Sequence, residues 1–365
     1  MSAKNFKQFL SDLLNASSPS GQEEKAIKVW DDFMSSLPNV SKYYSDKMGN
    51  SAWSIGDGNT KILLSGHIDQ VNARVSLIHD SGLIALHYTG GIDNRSLYSG
   101  RVLVLTDDGK EVEGAVIKQP LHLDKDTEWP ENHRDFSKIR VDVGAESKEE
   151  VEKLGIHPGC LVIYKPEVSV DWGENKICSV SLDDKIAVFA VGLVLQALSD
   201  DLKKHKESGN VPAWYNQYTI IGLAATQEET GLRGATVAAK NINPDISIDA
   251  DVEFCTDDEL SGPKEKIGDI KLGKGPILTY GADKSVRVNR VLKDMADFLG
   301  VKYQYASTGC GGTNTDAIQL NSADCETAHL AIPNQAMHSR CEICHWSDVQ
   351  GAIDILGIAI LDCKL

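Results

Sequence analysis

The run Leu63 to Asp69, Leu-Leu-Ser-Gly-His-Ile-Asp, constrains this chain most. Ile62, Leu63 and Leu64 have the apolar character of a buried strand, and Ser65-Gly66 ends it. His67 and Asp69 follow two residues apart, on one side of an extended backbone. Open α/β sheets gather their ligands at the carboxyl ends of strands. A neutral imidazole with a carboxylate two residues on suits a metal: the His offers a nitrogen and the Asp holds the ring. Alone, such a histidine is more often a surface or satisfied core group than a ligand, so its meaning depends on the rest of the chain.

Four later stretches have the same placement. Asp183 stands where a loop meets the apolar helix expected over Ile186 to Leu198, a position that also suits a plain helix cap. Glu228-Glu229 follow the near-continuous apolar run Tyr218 to Ala225, which reads as a central strand. Adjacent carboxylates there repel unless a cation is near. Asp249 and Asp251 alternate on the strand expected over Asp245 to Asp251. His338 follows the strand expected over Thr327 to Ile332 and an irregular Pro333 to Met337 loop. Imidazole and carboxylate donors without thiolate suit zinc, or cobalt and manganese, in an open catalytic site. With two ions, one carboxylate must bridge, and a spare Glu beside the ligand Glu would be a general base for water.

Strand and helix patterns alternate before residue 70 and after 175. Between about Val71 and Trp172 lie short alternating runs divided by turns, such as Asp107-Asp108-Gly109-Lys110. One short helix fits Ser147 to Leu154, and Leu123 to Arg140 reads as a long polar loop. The expected architecture is therefore an α/β domain, a mixed sheet flanked by helices, in two parts (1–71 and 175–365). A small β-barrel or sandwich occupies 72–174. Two capping boxes are expected, Ser20 with Glu23 and Ser347 with Gln350.

A net charge of −16 argues against nucleic acid and anionic membrane surfaces as partners. No stretch has the apolar length of a membrane span, and the start lacks the apolar core of a signal peptide. The eight cysteines are expected to be reduced thiols in a cytoplasmic protein. Cys341-Glu-Ile-Cys344-His345 matches a haem-attachment string, but without export the match is coincidental.

Gly66-His67-Ile68-Asp69, Leu182-Asp183-Asp184-Lys185, the string Gln227 to Ala235, Asp251-Val252, Gly311-Gly312-Thr313 with Asp316-Ala317, and His338-Ser339 occur in this order. Together they resemble the tetrahedral and glutamyl aminopeptidase family of two-metal peptidases. Gly90-Gly91-Ile92-Asp93 and Val141 to Ala145 resemble that family's small β domain. The resemblance implies that Asp183 bridges two divalent ions, that His67 and Asp251 complete one shell, and that Glu229 and His338 complete the other. It implies Glu228 as the base for the shared water and Asp69 as the support of His67. It further implies short peptides as substrates, cleaved from the amino terminus, and a homo-oligomer in which dimers build a dodecamer.

The chain departs from the pattern at Gln70, where an acid is usual, and at Lys185, where Arg is usual. It also departs at Asn314-Thr315, which lengthens a loop, and at Asn334 to Met337, which lacks the usual Arg-Tyr. Two other functions compete with the peptidase: a two-metal deacylase of N-acyl amino acids, and a non-catalytic assembly protein on the same fold. Glycan hydrolysis is disfavoured, because its two facing carboxyl groups would here be committed to metal.

Overall fold

A computed structural model describes residues 3–120, 122–123, 135–257, 264–307 and 312–365, with side chains from residue 6 onward. Gly311, Cys310 and the middle of the Leu123 to Arg140 loop lie outside the described residues. The chain divides into two compact units. One comprises 1–69, 168–337 and 341–365, and the other comprises 70–167 with 338–340.

The first unit starts with helices α1 (Ala3–Asn15) and α2 (Glu24–Ser35), then strands β1 (Ser41–Ser45), β2 (Ser51–Ile55) and β3 (Thr60–His67). The second unit carries β4 (Asn72–Ile78), β5 (Ile84–Thr89), α3 (Asn94–Leu97), β6 (Arg101–Leu105), β7 (Glu111–Lys118), β8 (Ile139–Asp142), α4 (Lys148–Lys153) and β9 (Leu161–Tyr164). The first unit resumes with β10 (Ser169–Trp172), β11 (Lys176–Ser179), α5 (Leu182–Glu207), α6 (Ala213–Gln217), β12 (Tyr218–Ala225) and α7 (Arg233–Ile242). There follow β13 (Ile246–Asp249), β14 (Val252–Phe254), α8 (Lys264–Ile267), β15 (Ile277–Tyr280), α9 (Val286–Leu299), β16 (Gln304–Ser307), α10 (Asn314–Asn321), β17 (Glu326–Asn334), β18 (Glu342–His345) and α11 (Trp346–Leu361).

The main sheet runs β1-β2-β12-β3-β13-β17-β15-β16, with β14 also on β17. At its centre β12, β3, β13 and β17 are parallel. Helices cover both faces of such a sheet, which is why Tyr218 to Ala225 is apolar almost throughout. One face buries Ile62, Leu64, Ile220 and Ile248 against α5, α9 and α11. The other buries Leu63, Ile221 and Leu223 against α7 and α10.

The second unit is a closed barrel of order β4-β5-β8-β7-β6-β9. Alternating residues such as Val75, Ile84, Val102, Val104, Val116 and Val141 are buried. Closure leaves no strand edge unpaired, so these short strands need no partner chain to satisfy them. No helix among the described residues is long and apolar enough to cross a membrane.

Several local expectations are corrected. Neither capping box forms. The Ser20 hydroxyl donates instead to Asp69, 2.6 Å away, and α2 has no side-chain cap. At α11 the capping side chain is His345, which accepts from the Ser347 N–H. Pro333 and Asn334 are not loop but the end of β17, and Gln335 bridges to Ile343. The chain from Ile139 is not loop but strand, because β8 is needed to close the barrel.

Gly66 is fixed by packing. A Cβ there would lie 2.9 Å from the Val188 N and 3.1 Å from an Asp184 carboxylate oxygen, so β3 can approach α5 only without a side chain. Gly66→Ala is therefore expected to cost about 1–3 kcal/mol in chemical denaturation. A wild-type midpoint would show that β3 and α5 are less tightly apposed.

Candidate metal centre

Strand register builds the centre. In β12 and β3, Ala225 pairs with His67, so the two strands end level. In β13 and β3, Asp249 pairs with Ser65, which puts Asp251 two residues on, level with His67. Glu228 and Glu229 leave the end of β12 in a loop whose Gln227 has a φ of 54°. Asp183 and Asp184 sit at the start of α5 with non-helical backbone angles, joined by a cis peptide. All of these groups gather at the carboxyl edge of the parallel strands, where ligands bind in such sheets.

The His67 Nε2 lies 3.0 Å from Asp183 Oδ1, 3.9 Å from Glu228 Oε2 and 4.0 Å from Asp251 Oδ1. Two overlapping groups of donor atoms lie close enough to hold a metal ion. One is His67, Glu228 and Asp251; the other is His67, Asp183 and Glu229. The structure thus brings four of the expected residues, Asp183, Glu228, Glu229 and Asp251, together around His67, with the Asp69 carboxylate 3.5 Å from its Nδ1.

Asp69 has a wider role than holding a ring. The His67 Nδ1 is 3.1 Å from its backbone carbonyl and 3.5 Å from its carboxylate. The carboxylate accepts from the Glu228 N–H at 2.9 Å, the Glu229 N–H at 3.2 Å and the Ser20 hydroxyl at 2.6 Å. It ties the β3 end, the glutamate loop and the α1–α2 connection into one piece. Asp184 accepts from the His67 N–H at 3.0 Å, and Glu342 accepts from the Asp183 N–H at 2.8 Å.

The electrostatics show an excess of buried negative charge. Burial pushes the Glu228 carboxyl well up; His67 offsets part of this, while Asp251 and Glu229 add to it. Asp251 is raised by burial and by Asp249 and Asp183, against His67. Burial alone would depress the His67 imidazole, but Glu228, Asp183 and Asp69 outweigh it and hold the ring well above its usual value. One imidazole cannot neutralise so many buried carboxylates. Oxygen and nitrogen donors short of positive charge fit divalent cations of the zinc, cobalt or manganese type.

His338 belongs to the second unit. Its φ is 61°, and the Tyr164 hydroxyl donates to its carbonyl at 3.3 Å. Its imidazole lies over Gly91, where a Cβ would come within 2.3 Å of Nδ1.

Sequence reasoning missed several supporting groups. Glu342 is 159 residues from Asp183 and carries no local signal. Lys185 is fully buried and donates to the Ala16 carbonyl at 2.6 Å; burial lowers it to about 7, against Glu342 and Asp69. Glu23 forms no capping box with Ser20 and instead accepts from the Gly21 N–H at 2.7 Å and the Gln227 N–H at 3.2 Å. Asp249 is held by the Ser65 hydroxyl at 2.6 Å and the Asn314 amide at 3.3 Å. In the Cys341-x-x-Cys344 string, Cys344 lies buried in β18 and Cys341 stands exposed just before it.

The sequence profile of the M42 glutamyl aminopeptidase family matches residues 49–355. A lysyl aminopeptidase of Pyrococcus furiosus is 28% identical over 326 residues, covering 87% of this chain and 86% of its own. An aminopeptidase from the archaeon Desulfurococcus kamchatkensis superposes with a TM-score of 0.85 at 27% identity, over 98% of this chain and 95% of its own. A TET peptidase of Pyrococcus horikoshii, described as assembling into a tetrahedron or a large octahedral shell, gives 0.81 at 27% identity over 99% and 100%.

Glu23 gives a test of the buried charge. Burial pushes its carboxyl up to about 8, with the Gly21 N–H opposing and Asp69 reinforcing. The unfolded group ionises near 4.5. Between these values the fold keeps a proton that the unfolded chain loses, so stability falls as pH rises and the cost is complete above the folded value. Gln keeps the carbonyl acceptor and removes the cost. Glu23→Gln is expected to match wild type near about pH 4 and to exceed it by about 3–5 kcal/mol near about pH 9, in denaturant melts of chelated protein. An equal difference at both pH values would mean that Glu23 is ionised in the fold.

Proposed function

From membership of the M42 glutamyl aminopeptidase family, to which this peptidase belongs, we propose a two-metal aminopeptidase that removes amino-terminal residues from short peptides. The observation that carries the proposal is the gathering of His67, Asp183, Glu228, Glu229 and Asp251 at one edge of the sheet, with no thiolate among them. In this reading Asp183 bridges two ions, zinc in the first instance, with cobalt or manganese as the alternatives. His67 and Asp251 hold one ion, and Glu229 and His338 the other. His338 is assigned from its motif position alone. When bound, such ions supply the positive charge that polarises a peptide carbonyl and lowers the proton affinity of water.

The chain supplies the proton transfers. Glu228 takes a proton from the attacking water as its oxygen bonds to the scissile carbonyl carbon. It then gives that proton to the amine nitrogen as the C–N bond breaks. A carboxyl raised by burial and by like charges is matched to both steps better than an ordinary glutamate. Asp69 keeps Glu228 and Glu229 in register, because its carboxylate receives both of their backbone N–H groups. The negative surroundings favour a substrate with a free, positively charged amino terminus. A homo-oligomer, dimers building toward a dodecamer, is in keeping with the assembling TET relative. A cytoplasmic setting is in keeping with described cysteines that form no disulfide with one another.

Aminoacyl anilides are expected to be cleaved and N-acyl amino acids left intact; cleavage of the blocked amines alone would favour a deacylase. Chelation should abolish turnover, and zinc or cobalt should restore it. Glu228→Gln is expected to lower kcat by about 10²–10⁴-fold while metal content stays that of wild type. Near-normal turnover in that variant would remove Glu228 as the base.

A further inference from the structure

The barrel unit holds a third cluster of donors, remote in sequence from the motifs above. Asp107, His157 and Cys160 each offer one atom, and these atoms lie within 4.8 Å of one another. Asp107 sits in the hairpin turn between β6 and β7, where the Gly109 N–H donates to the Thr106 carbonyl at 2.9 Å. His157 and Cys160 are the ends of the turn His-Pro-Gly-Cys before β9. The Cys160 N–H closes it on the His157 carbonyl at 3.1 Å, and Gly159 has a φ of 104°. Pro then Gly at the two central positions, with Gly at positive φ, is the chemistry of a type II turn. That turn brings the imidazole and the sulfur to one side. The chain just before that turn also meets the hairpin, since a Cβ on Gly155 would lie 3.4 Å from Thr106 Cγ2.

The geometry points to a divalent transition-metal site, of the zinc class, held by Asp107, His157 and Cys160. The His157 Nδ1 is 2.9 Å from the Pro158 carbonyl, and its Nε2 is 3.1 Å from Asp107 Oδ2. A carbonyl on one ring nitrogen is the usual device for turning the other toward a metal. Tetrahedral zinc with ligands at about 2.0–2.3 Å needs neighbouring donors about 3.3–3.7 Å apart. The imidazole and carboxylate therefore need to part only slightly. An Asp–His contact by itself would be an ordinary surface ion pair. The sulfur makes the difference: Cys160 is buried, and it accepts the His157 N–H at 3.4 Å, a bond that favours a thiolate. Burial keeps the thiol protonated until a cation displaces the proton. Thiolate, imidazole and carboxylate together select zinc or cobalt over magnesium or calcium. Bound there, the ion would clip the β6–β7 hairpin to the turn that feeds β9, and water would take the fourth position.

Cobalt distinguishes this site from the other, because the proposed catalytic donors contain no sulfur. Full-length reduced protein is titrated with cobalt(II) and followed by near-ultraviolet absorption and by aminoanilide turnover. Wild type should develop the sulfur-to-cobalt charge-transfer band. Cys160→Ser should lose it, and His157→Ala should need at least about tenfold more cobalt to reach half of it. Both variants should keep wild-type turnover. His157 is half exposed, so its variant tests the site even if Cys160→Ser folds poorly. No band in wild type at about millimolar cobalt would overturn the proposal, since metal-site affinities of use to a fold are far tighter. A band that survives both substitutions would overturn it equally.

Discussion

The first unit depends on one electrostatic problem: how to hold many carboxylates out of water at one sheet edge. Asp69, Asp183, Asp184, Asp249 and Asp251 are all buried there. Each isolated buried carboxylate would cost several kcal/mol, and together they repel. The fold answers with backbone N–H groups. Asp69 receives those of Glu228 and Glu229, Asp184 that of His67, and Asp251 that of Val252. Such donors carry no net charge, so they position the acids without neutralising them. The remaining charge excess is what makes the edge suited to cations, and it can persist because parallel register, not mutual attraction, holds the groups in place.

Much of this was legible in the sequence, and for a definite reason. A parallel strand buried on both faces must be apolar along its whole length, and its functional residues must follow its end. Tyr218 to Ala225 followed by Glu228-Glu229, and Ile62 to Leu64 followed by His67, obey that rule without help from distant parts of the chain. The barrel was visible as alternation and turns. Its β8 strand was not, because four residues beside a polar stretch carry too little pattern.

What the sequence hid is pairing across distance. Ser20 followed by Glu23 has the form of a cap, and nothing local shows that the hydroxyl is claimed by Asp69, 49 residues on. Glu23 likewise turns to the Gln227 N–H across 204 residues. Local rules describe what a segment prefers when nothing else competes. Here a buried carboxylate competes, and a charge-assisted bond to it outweighs a cap. Lys185 shows the same conflict. Its position suggested an Arg substitute near the acids, yet its ammonium satisfies the Ala16 carbonyl and ties α5 to the end of α1.

The polar row beside the centre explains why Asp249, the last residue of β13, and Asp251, two residues beyond it, have different fates. Register sets Ser65, Asp249 and His329 side by side across three strands, all buried. Asp249 Oδ1 accepts from the Ser65 hydroxyl and the Asn314 amide, and burial lowers His329 to about 3, with Lys284 adding to the effect. An imidazole so depressed stays neutral and cannot balance the acid beside it. Asp249 Oδ1 is therefore held by neutral donors within the core, as a strut between β3 and α10. Asp251, past the end of β13, lies 4.0 Å from the His67 Nε2. Two residues past the strand end thus separate a carboxylate that supports the fold from one that faces the centre.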